Sequence, residues 1–299
     1  MSLYAFIGAL ETGLVFALVA LGSYLTFRVL DFPDLTVEGS FPLGAAVTAK
    51  LMISGIDPWS ATLLGAGAGC VAGLATAFLN LKLRILHILA GILTAIALYS
   101  VNLRIMAGPN VGLLNVQTVY SFWEKLSLQS LYVPLGLLAL VVIVVKILLD
   151  LFLATGFGLA MRATGANPRM AKANGINVEL TIAVGLAIAN GLTALSGALF
   201  AQMLGAADVS MGIGVIVIAL AAVIGGTALM PSRLVPMLTL ACVLGSIAYR
   251  IVIAFALNTD FVGLGASDVN LVTAILVAIA LFAPGRKFSF LKRQSGAAK

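Results

Sequence analysis

Two short stretches of this chain combine acidic, hydroxyl and glycine residues beside long apolar runs. A charge at membrane depth usually faces a cavity or a partner. Irregular backbone is tolerated there only where protein or water satisfies it. We therefore interpret residues 31–41 and 205–214 as broken or re-entrant segments that line a central pathway, with ordinary surface loops as the alternative. The residues expected closest to that pathway are Glu38, Ser40, Phe41, Asp208, Ser210 and Met211.

Four further polar positions each leave two interpretations open. Asn190 lies in an apolar stretch, where it either bonds to a neighbouring helix or contacts a solute. Asp31 and Asp34 follow Arg28 closely and can simply pair with it. Arg250 lies inside an apolar run, where it either extends to the membrane surface or pairs with an acid.

The residue types that catalysis and metal binding need are scarce. The chain has one histidine and two cysteines, and Cys70 and Cys242 lie far apart in apolar, small-residue runs. It shows no Ser/His/Asp set, and we expect no catalytic residue, no metal site and no enzymatic activity. It also lacks a phosphate-binding loop motif. A net charge of +6 in so apolar a chain indicates cytoplasmic loops rather than nucleic-acid binding.

The composition of the chain is that of an integral membrane protein. The 299 residues are 62% hydrophobic and 9% charged, against roughly a quarter charged in a soluble domain. We predict an all-α, polytopic bundle of about nine crossings (eight to ten), forming one transmembrane domain over 1–299. The first apolar run is expected to be a spanning helix rather than a cleaved signal. The crossings are centred near 5–27, 40–54, 59–80, 86–106, 131–153, 180–203, 213–229, 234–256 and 269–284.

The basic residues set the orientation. With the N-terminus outside, most of the 17 Lys and Arg residues fall on the cytoplasmic side, together with a basic tail at 285–299. In that orientation the acid-led stretches 34–47 and 208–221 start on opposite sides, and CVAG (70–73) is echoed by CVLG (242–245). The pattern predicts inverted repeats, an arrangement typical of transporters.

The segment 156–180 is the most polar and basic loop between two crossings. Asn167 and Pro168 are typical of a helix start, and Gly175 of its end. Between them we expect an apolar knob with basic flanks, suited to a groove on a partner; a helix resting on lipid headgroups is the alternative. The candidate docking residues are Asn167, Pro168, Arg169, Met170, Ala171, Lys172 and Gly175.

Several separated stretches resemble one family. They are RATGANPRMAKANGIN (162–177), the run from ANGLTALSGALFAQ (189–202) to Gly226, DFPDLTVEGSFPLGAAV (31–47) and NLRIMAGPNVGLLN (102–115). Together they resemble the permease subunits of bacterial ABC importers in the branched-chain amino acid and ribose superfamily, most closely the tryptophan/tyrosine-type permeases. The resemblance extends from Thr12 to about Pro284. The family is expected to carry an acidic residue near Ala166, where this chain has alanine.

The resemblance implies an assembly rather than a lone protein. It implies two copies of the permease in the bacterial inner membrane, a cytoplasmic ATP-binding-cassette ATPase dimer and an external substrate-binding protein. The helix around Asn167–Gly175 would be the coupling helix, and ATP and Mg²⁺ would bind the ATPase, with no cofactor in this chain. An aromatic or other small hydrophobic amino acid is the implied solute. A self-contained secondary transporter or channel, or a membrane scaffold, are the alternatives.

Overall fold

The computed structural model describes residues 3–114, 116–121, 133–232 and 234–257, and most of them are helical. A π-helical turn (Leu25–Val29) ends the first helix, and a 3-10 turn (Val209–Gly212) precedes the ninth. Two short strands, β1 (Asn110–Gly112) and β2 (Ala206–Asp208), pair antiparallel with Asn110 opposite Asp208. The helices are α1 (Leu3–Tyr24), α2 (Val37–Ile53), α3 (Pro58–Leu81), α4 (His87–Met106), α5 (Val133–Ala154), α6 (Gly156–Ala166), α7 (Pro168–Ala173), α8 (Val178–Leu204), α9 (Val215–Leu229) and α10 (Val235–Leu257).

Seven helical segments in the described ranges are long and apolar enough to cross a membrane. The expected crossing at 40–54 corresponds to α2, which has only 17 residues and is not one of the seven. The expected crossing at 269–284 lies outside the described residues, as does the basic tail. The polytopic helical architecture is therefore confirmed, while the count of nine stays a prediction. The seven segments are Leu3–Val29, Pro58–Leu81, His87–Met106, Val133–Ala154, Val178–Leu204, Val209–Leu229 and Val235–Ala256.

Glycines let three helices approach one another closely. A Cβ at Gly69 or Gly73 of α3 would overlap backbone atoms of α8, at Asn190 and Leu186 respectively. A Cβ at Gly44 of α2 would overlap the Ala194 backbone of α8. Small residues drive helix association where lipid removes the hydrophobic gain. Helices α2, α3 and α8 therefore form a tightly packed unit.

Hydroxyl and amide side chains connect these helices inside the bundle. The Thr36 hydroxyl lies 2.7 Å from that of Thr76, which donates to Thr94 at 3.0 Å. Gln202 of α8 donates to the Thr62 hydroxyl at 2.8 Å and accepts from the Val119 N–H at 3.0 Å. Buried polar groups are costly unless paired, so these bonds fix which helices are neighbours.

The proposed repeat has a local structural counterpart. Asp34 and Asp208 each accept a hydrogen bond from the backbone N–H two residues later, at Thr36 and Ser210. In both places the aspartate precedes a hydroxyl residue and the start of a new helix, α2 or α9. The inverted relation of the two halves stays a prediction.

Candidate functional site

The first break separates α1 from α2 and is held by a buried carboxylate. Asp34 is fully buried, and its Oδ2 accepts from the Asn190 amide at 2.7 Å. Asn190 in turn accepts from the Ser40 hydroxyl at 2.6 Å. The Asp34 carboxylate thus bonds to Asn190 and Thr36, and Arg28 is exposed. The interpretation that Asp34 pairs with Arg28 is therefore wrong.

The second break, from Gly205 to Gly214, leads from α8 into α9. Gly205 and Gly214 have φ of 73° and 79°, a left-handed conformation that glycine adopts without a side-chain penalty. Between them run β2 and the 3-10 turn. A Cβ at Gly212 would overlap the Glu38 carbonyl oxygen, so this turn packs directly on the start of α2.

Glu38 joins the two breaks. It lies in the first turn of α2, and its Oε1 accepts from the Gly214 N–H at 3.2 Å, where α9 begins. The N-terminal ends of two helices thus meet around one partly exposed carboxylate. Negative charge is favourable at such ends, because the free N–H groups carry partial positive charge.

Asp208 lies at the other end of the second break. Its Oδ1 accepts from the Ser210 hydroxyl and, at 2.7 Å, from the Ser210 N–H, and its Oδ2 accepts from Asn110 at 3.3 Å. The Ser210 hydroxyl is the main cause that lowers the pKa of the Asp208 carboxyl. Partial burial opposes it, and the bonds from the Ser210 N–H and Asn110 lower the pKa further. This acid therefore anchors the β1–β2 ribbon as an anion.

The structure divides the expected pathway residues into two groups. Ser40, Phe41 and Asn190 are fully buried and hold the helices together in this conformation. The others are at least partly exposed: Glu38, Asp208, Ser210 and Met211. Their contact with a solute stays a prediction for both groups.

Three phenylalanines fill the space between the breaks. The Phe16 and Phe41 rings stack with centroids 5.5 Å apart, and Phe200 meets Phe16 edge-on at 5.6 Å. The Arg250 guanidinium lies over the Phe16 ring at 4.1 Å. No ion pair between described residues includes Arg250, so its pairing with an acid of the described chain is not observed.

The segment 156–180 contains the short helix that its sequence predicts. The Asn167 side chain accepts from the Met170 N–H at 3.1 Å, Pro168 occupies the first position of α7, and Gly175 has φ of 81°. Met170 is 65% exposed, whereas Ala171 is only 4% exposed. The expected apolar knob is therefore Met170 alone, because Ala171 turns into the fold.

The flanks of α7 are available to a partner. Arg169 and Lys172 are both exposed, as are Asn167, Pro168 and Gly175. The neighbouring helix start at Asn177 is capped in the same way, with the Leu180 N–H donating to its side chain at 3.1 Å. Docking by this surface stays a prediction.

Sequence reasoning singled out Asp34 but did not identify its partners Thr36 and Asn190. The signal for Asp34 was its match with Asp208, since DLT (34–36) and DVS (208–210) place a hydroxyl residue at the same spacing. Gln202 lies in the same apolar stretch as Asn190, where a polar residue is expected to bond to a neighbouring helix, and it does bond to Thr62 of α3.

Comparison with known proteins assigns the chain to a family. Residues 6–283 match the family described as the permease component of the branched-chain amino acid transport system. The chain belongs to this family. It is thus a multi-pass membrane permease of an ABC-type transport system, a transport subunit rather than an enzyme.

Two relatives align with nearly the whole chain, and a third aligns with about 70% of it. It is 40% identical over 287 residues to the tyrosine transport system permease protein of Clostridioides difficile (strain R20291), covering 96% of this chain and 93% of the relative. It is 36% identical over 279 residues to the uncharacterized protein RP368 of Rickettsia prowazekii (strain Madrid E), covering 92% and 96%. The D-allose transport system permease protein AlsC of Escherichia coli (strain K12) is 30% identical over 220 residues, covering 71% and 64%.

Proposed function

We propose that this permease is the membrane-spanning subunit of an ATP-driven importer that moves an aromatic amino acid, with tyrosine as the first candidate, into the bacterial cytoplasm. The observation that carries the proposal is the 40% identity to a tyrosine transport system permease across 96% of the chain. The substrate would arrive on an external binding protein, and ATP and Mg²⁺ would bind a cytoplasmic ATPase dimer, with no cofactor in the permease.

The exposed helix α7 supports coupling to the ATPase. It is a short, capped helix that presents Met170 between Arg169 and Lys172 at the surface. An apolar side chain ringed by basic groups suits a groove on a partner protein. A short loop joins α7 to α8, and Asn190 of α8 bonds to Asp34 in the first break. A displacement of α7 by the ATPase would therefore be transmitted through α8 to the first break.

The two breaks support a pathway through the bundle. Irregular backbone inside a membrane protein persists where it lines a cavity or is enclosed by protein. Here Glu38 and Gly214 bring both breaks together. In the full assembly two copies of the permease would place these segments around a two-fold axis.

Orientation is part of the proposal. The N-terminus would lie outside the inner membrane and the C-terminus in the cytoplasm, because the basic residues gather on one side. Labelling at positions 82, 167 and 290 should then report cytoplasm at all three. A periplasmic signal at position 167 would overturn both the topology and the ATPase docking.

The decisive experiment is reconstituted uptake. The permease is reconstituted in proteoliposomes together with its partner ATPase and substrate-binding protein and is given labelled tyrosine. Uptake that requires ATP supports the importer. Uptake driven by an ion gradient, without ATP or the ATPase, would instead establish a self-contained secondary transporter.

A matched pair of variants tests the docking helix. Met170→Asp places a charge on the exposed knob and should abolish ATPase association and ATP-driven uptake while the permease still inserts. Ala166→Asp adds the same charge at a nearby exposed position and should retain both activities. Full uptake by Met170→Asp would mean that the helix only rests on lipid.

Single cysteines in a background without Cys70 and Cys242 test the pathway. Cysteines at the partly exposed positions 38, 208 and 211 should react with small aqueous thiol reagents, and their reaction should change with nucleotide. A cysteine at the buried position 41 should be protected in the resting state. Uniform protection at all four positions in active protein would favour plain packing.

A further inference from the structure

Arg250 is a charged residue inside a spanning helix, and it forms no ion pair with any residue that the structure describes. Its guanidinium faces the Phe16 ring, and its Nε has no hydrogen-bond partner among the residues that the structure describes. Lys146, the comparable cation of α5, forms an ion pair with Asp150 at 2.6 Å. Placing an ionisable residue within the membrane costs free energy, and such a residue typically marks a solute pathway.

Packing holds Arg250 toward the bundle. The Ser246 hydroxyl donates to the Gly13 carbonyl at 2.8 Å, which ties α10 to α1 one turn before Arg250. A Cβ built at Gly13 would lie 3.6 Å from the Arg250 Cβ, so the base of the side chain lies against α1. From there the guanidinium covers Phe16 instead of extending along the helix toward a membrane surface.

The ring under Arg250 belongs to the cluster between the two breaks. Phe16 and Phe41 pack with Val37 and Val215, the first residues of α2 and α9. Phe200 and Met211 border this cluster and are less buried than its core. The Arg250 cation therefore lies over an aromatic cluster that packs against the starts of α2 and α9, the helices that follow the two breaks.

A carboxylate, Glu38, lies near the same cluster, next to Val37 on α2. Glu38 precedes Phe41 by three residues on α2, a spacing that places both on one helix face. Its Oε1 accepts from the Gly214 N–H, and no ion pair between described residues engages it. The cluster thus has Arg250 over its Phe16 ring and Glu38 beside the first residues of α2 and α9.

We propose that Arg250 binds the α-carboxylate of the transported amino acid, with an aromatic side chain against Phe200. The inference rests on the proposed function and names the residues that would recognise the solute within the membrane. The guanidinium fork matches a carboxylate with two parallel hydrogen bonds, which a lysine does not reproduce. The site accepts a zwitterion and rejects the corresponding amine.

The test measures weak binding to the permease itself. Purified full-length permease in nanodiscs is titrated with 3-fluorotyrosine and with 3-fluorotyramine, which lacks the carboxylate, and fluorine NMR line broadening is recorded. Wild type should broaden the fluorotyrosine signal at millimolar concentration and the fluorotyramine signal about 10-fold less, the range for losing a hydrogen bond to a charged group. Arg250→Gln should remove this preference, and Arg250→Lys should retain part of it.

The matched control is Arg104→Gln. Arg104 is an exposed arginine in the last turn of α4, so it tests the loss of one positive charge away from the aromatic cluster. It should keep the wild-type preference. In the complete transporter, Arg250→Gln should slow tyrosine uptake about 10- to 100-fold, while the unstimulated ATPase rate of the complex stays at the wild-type level, which shows that the variant is folded and assembled.

Four results would overturn the assignment. They are an Arg250→Gln permease that keeps the preference for fluorotyrosine, a preference that exists only in anionic lipid, loss of the permease dimer in Arg250→Gln, and a wild type that binds neither probe. The second would assign the guanidinium to lipid phosphate and the third to an acid of the second copy. Wild-type tyrosine uptake is measured in parallel, so failure of the site and failure of the importer proposal are distinguished.

Discussion

The first break and helix α7 both start with a short polar side chain that caps backbone, yet they are stabilised in opposite ways. Asp34 bonds the Thr36 N–H and also Asn190, which lies 156 residues away. Asn167 bonds only three residues ahead, to the Met170 N–H, at the surface. The comparison teaches that the first break depends on distant helices, whereas helix α7 is determined by its own sequence.

Removing the interior cap should have the largest effect. Asp34→Ala leaves two buried donors, the Thr36 N–H and the Asn190 amide, without their acceptor. Each such loss costs roughly 1–3 kcal/mol, so we expect destabilisation of about 3 kcal/mol or more. Thermal unfolding of the detergent-solubilised protein, followed by size-exclusion chromatography, measures it.

Asp31→Asn is the control for that variant. Asp31 is exposed and has φ of 53°, a conformation that asparagine tolerates. It should unfold at the wild-type temperature. Equal losses at positions 31 and 34 would mean that general charge, rather than the buried network, stabilises the first break.

Two glycines two residues apart on α3 provide the next test. Gly69→Ala would push a methyl group into Ala194 and the Asn190 carbonyl oxygen, and overpacking of this kind costs about 1–3 kcal/mol. Gly67→Ala meets open space and should be neutral or slightly stabilising, because alanine favours the helix. A lower unfolding temperature for Gly69→Ala, with an unchanged or higher one for Gly67→Ala, would confirm close packing of α3 on α8. Equal unfolding temperatures for the two variants would contradict it.

The surface cap should have a smaller and strictly local effect. Asn167→Ala loses a helix cap, which costs about 1 kcal/mol, and α7 has only six residues to share that loss. We expect faster hydrogen exchange over 168–173 with an unchanged global unfolding temperature. Asn177→Ala removes the same kind of cap from the 27-residue α8 and should affect its first turn alone. Global destabilisation by Asn167→Ala would show that α7 is held by tertiary contacts.

The smallest effect concerns pH. Hydrogen bonds lower the pKa of Asp208 in the folded protein, so its stabilisation is present above the pKa of the unfolded state and is lost as pH falls through the folded value. Acidification should therefore loosen the β1–β2 ribbon, seen as faster proteolysis at residues 205–214. Asp208→Asn should remove the pH dependence, and its persistence would assign it to another group.

The same contrast explains what the sequence could predict. Helix α7 was predicted residue by residue, because Asn167, Pro168 and Gly175 act through neighbouring backbone. Apolar runs predicted the spanning helices because the length and hydropathy of a segment are likewise local properties of the sequence. The partners of Asp34 were not predictable, because a hydrogen bond to a helix far along the chain leaves no mark in local spacing.

Arg250 illustrates the remaining limit. Its sequence context left open whether the side chain would extend outward or pair with an acid, and the structure places it over Phe16. That outcome depends on Gly13, which brings α1 close enough for the ring to lie beneath the guanidinium. Burial of Ala171 likewise depends on how α7 lies on its neighbours.

The shortness of α2 has a consequence for biosynthesis. With 17 residues, one internal proline and both Glu38 and Lys50, it is a poor candidate for entering lipid by itself. Most of its residues are buried, and the backbone against which Gly44 fits belongs to α8, at Ala194. The ribosome must therefore make about 150 further residues before α2 can reach its final place. Until then, α2 lacks the helix α8 against which it packs in the folded protein.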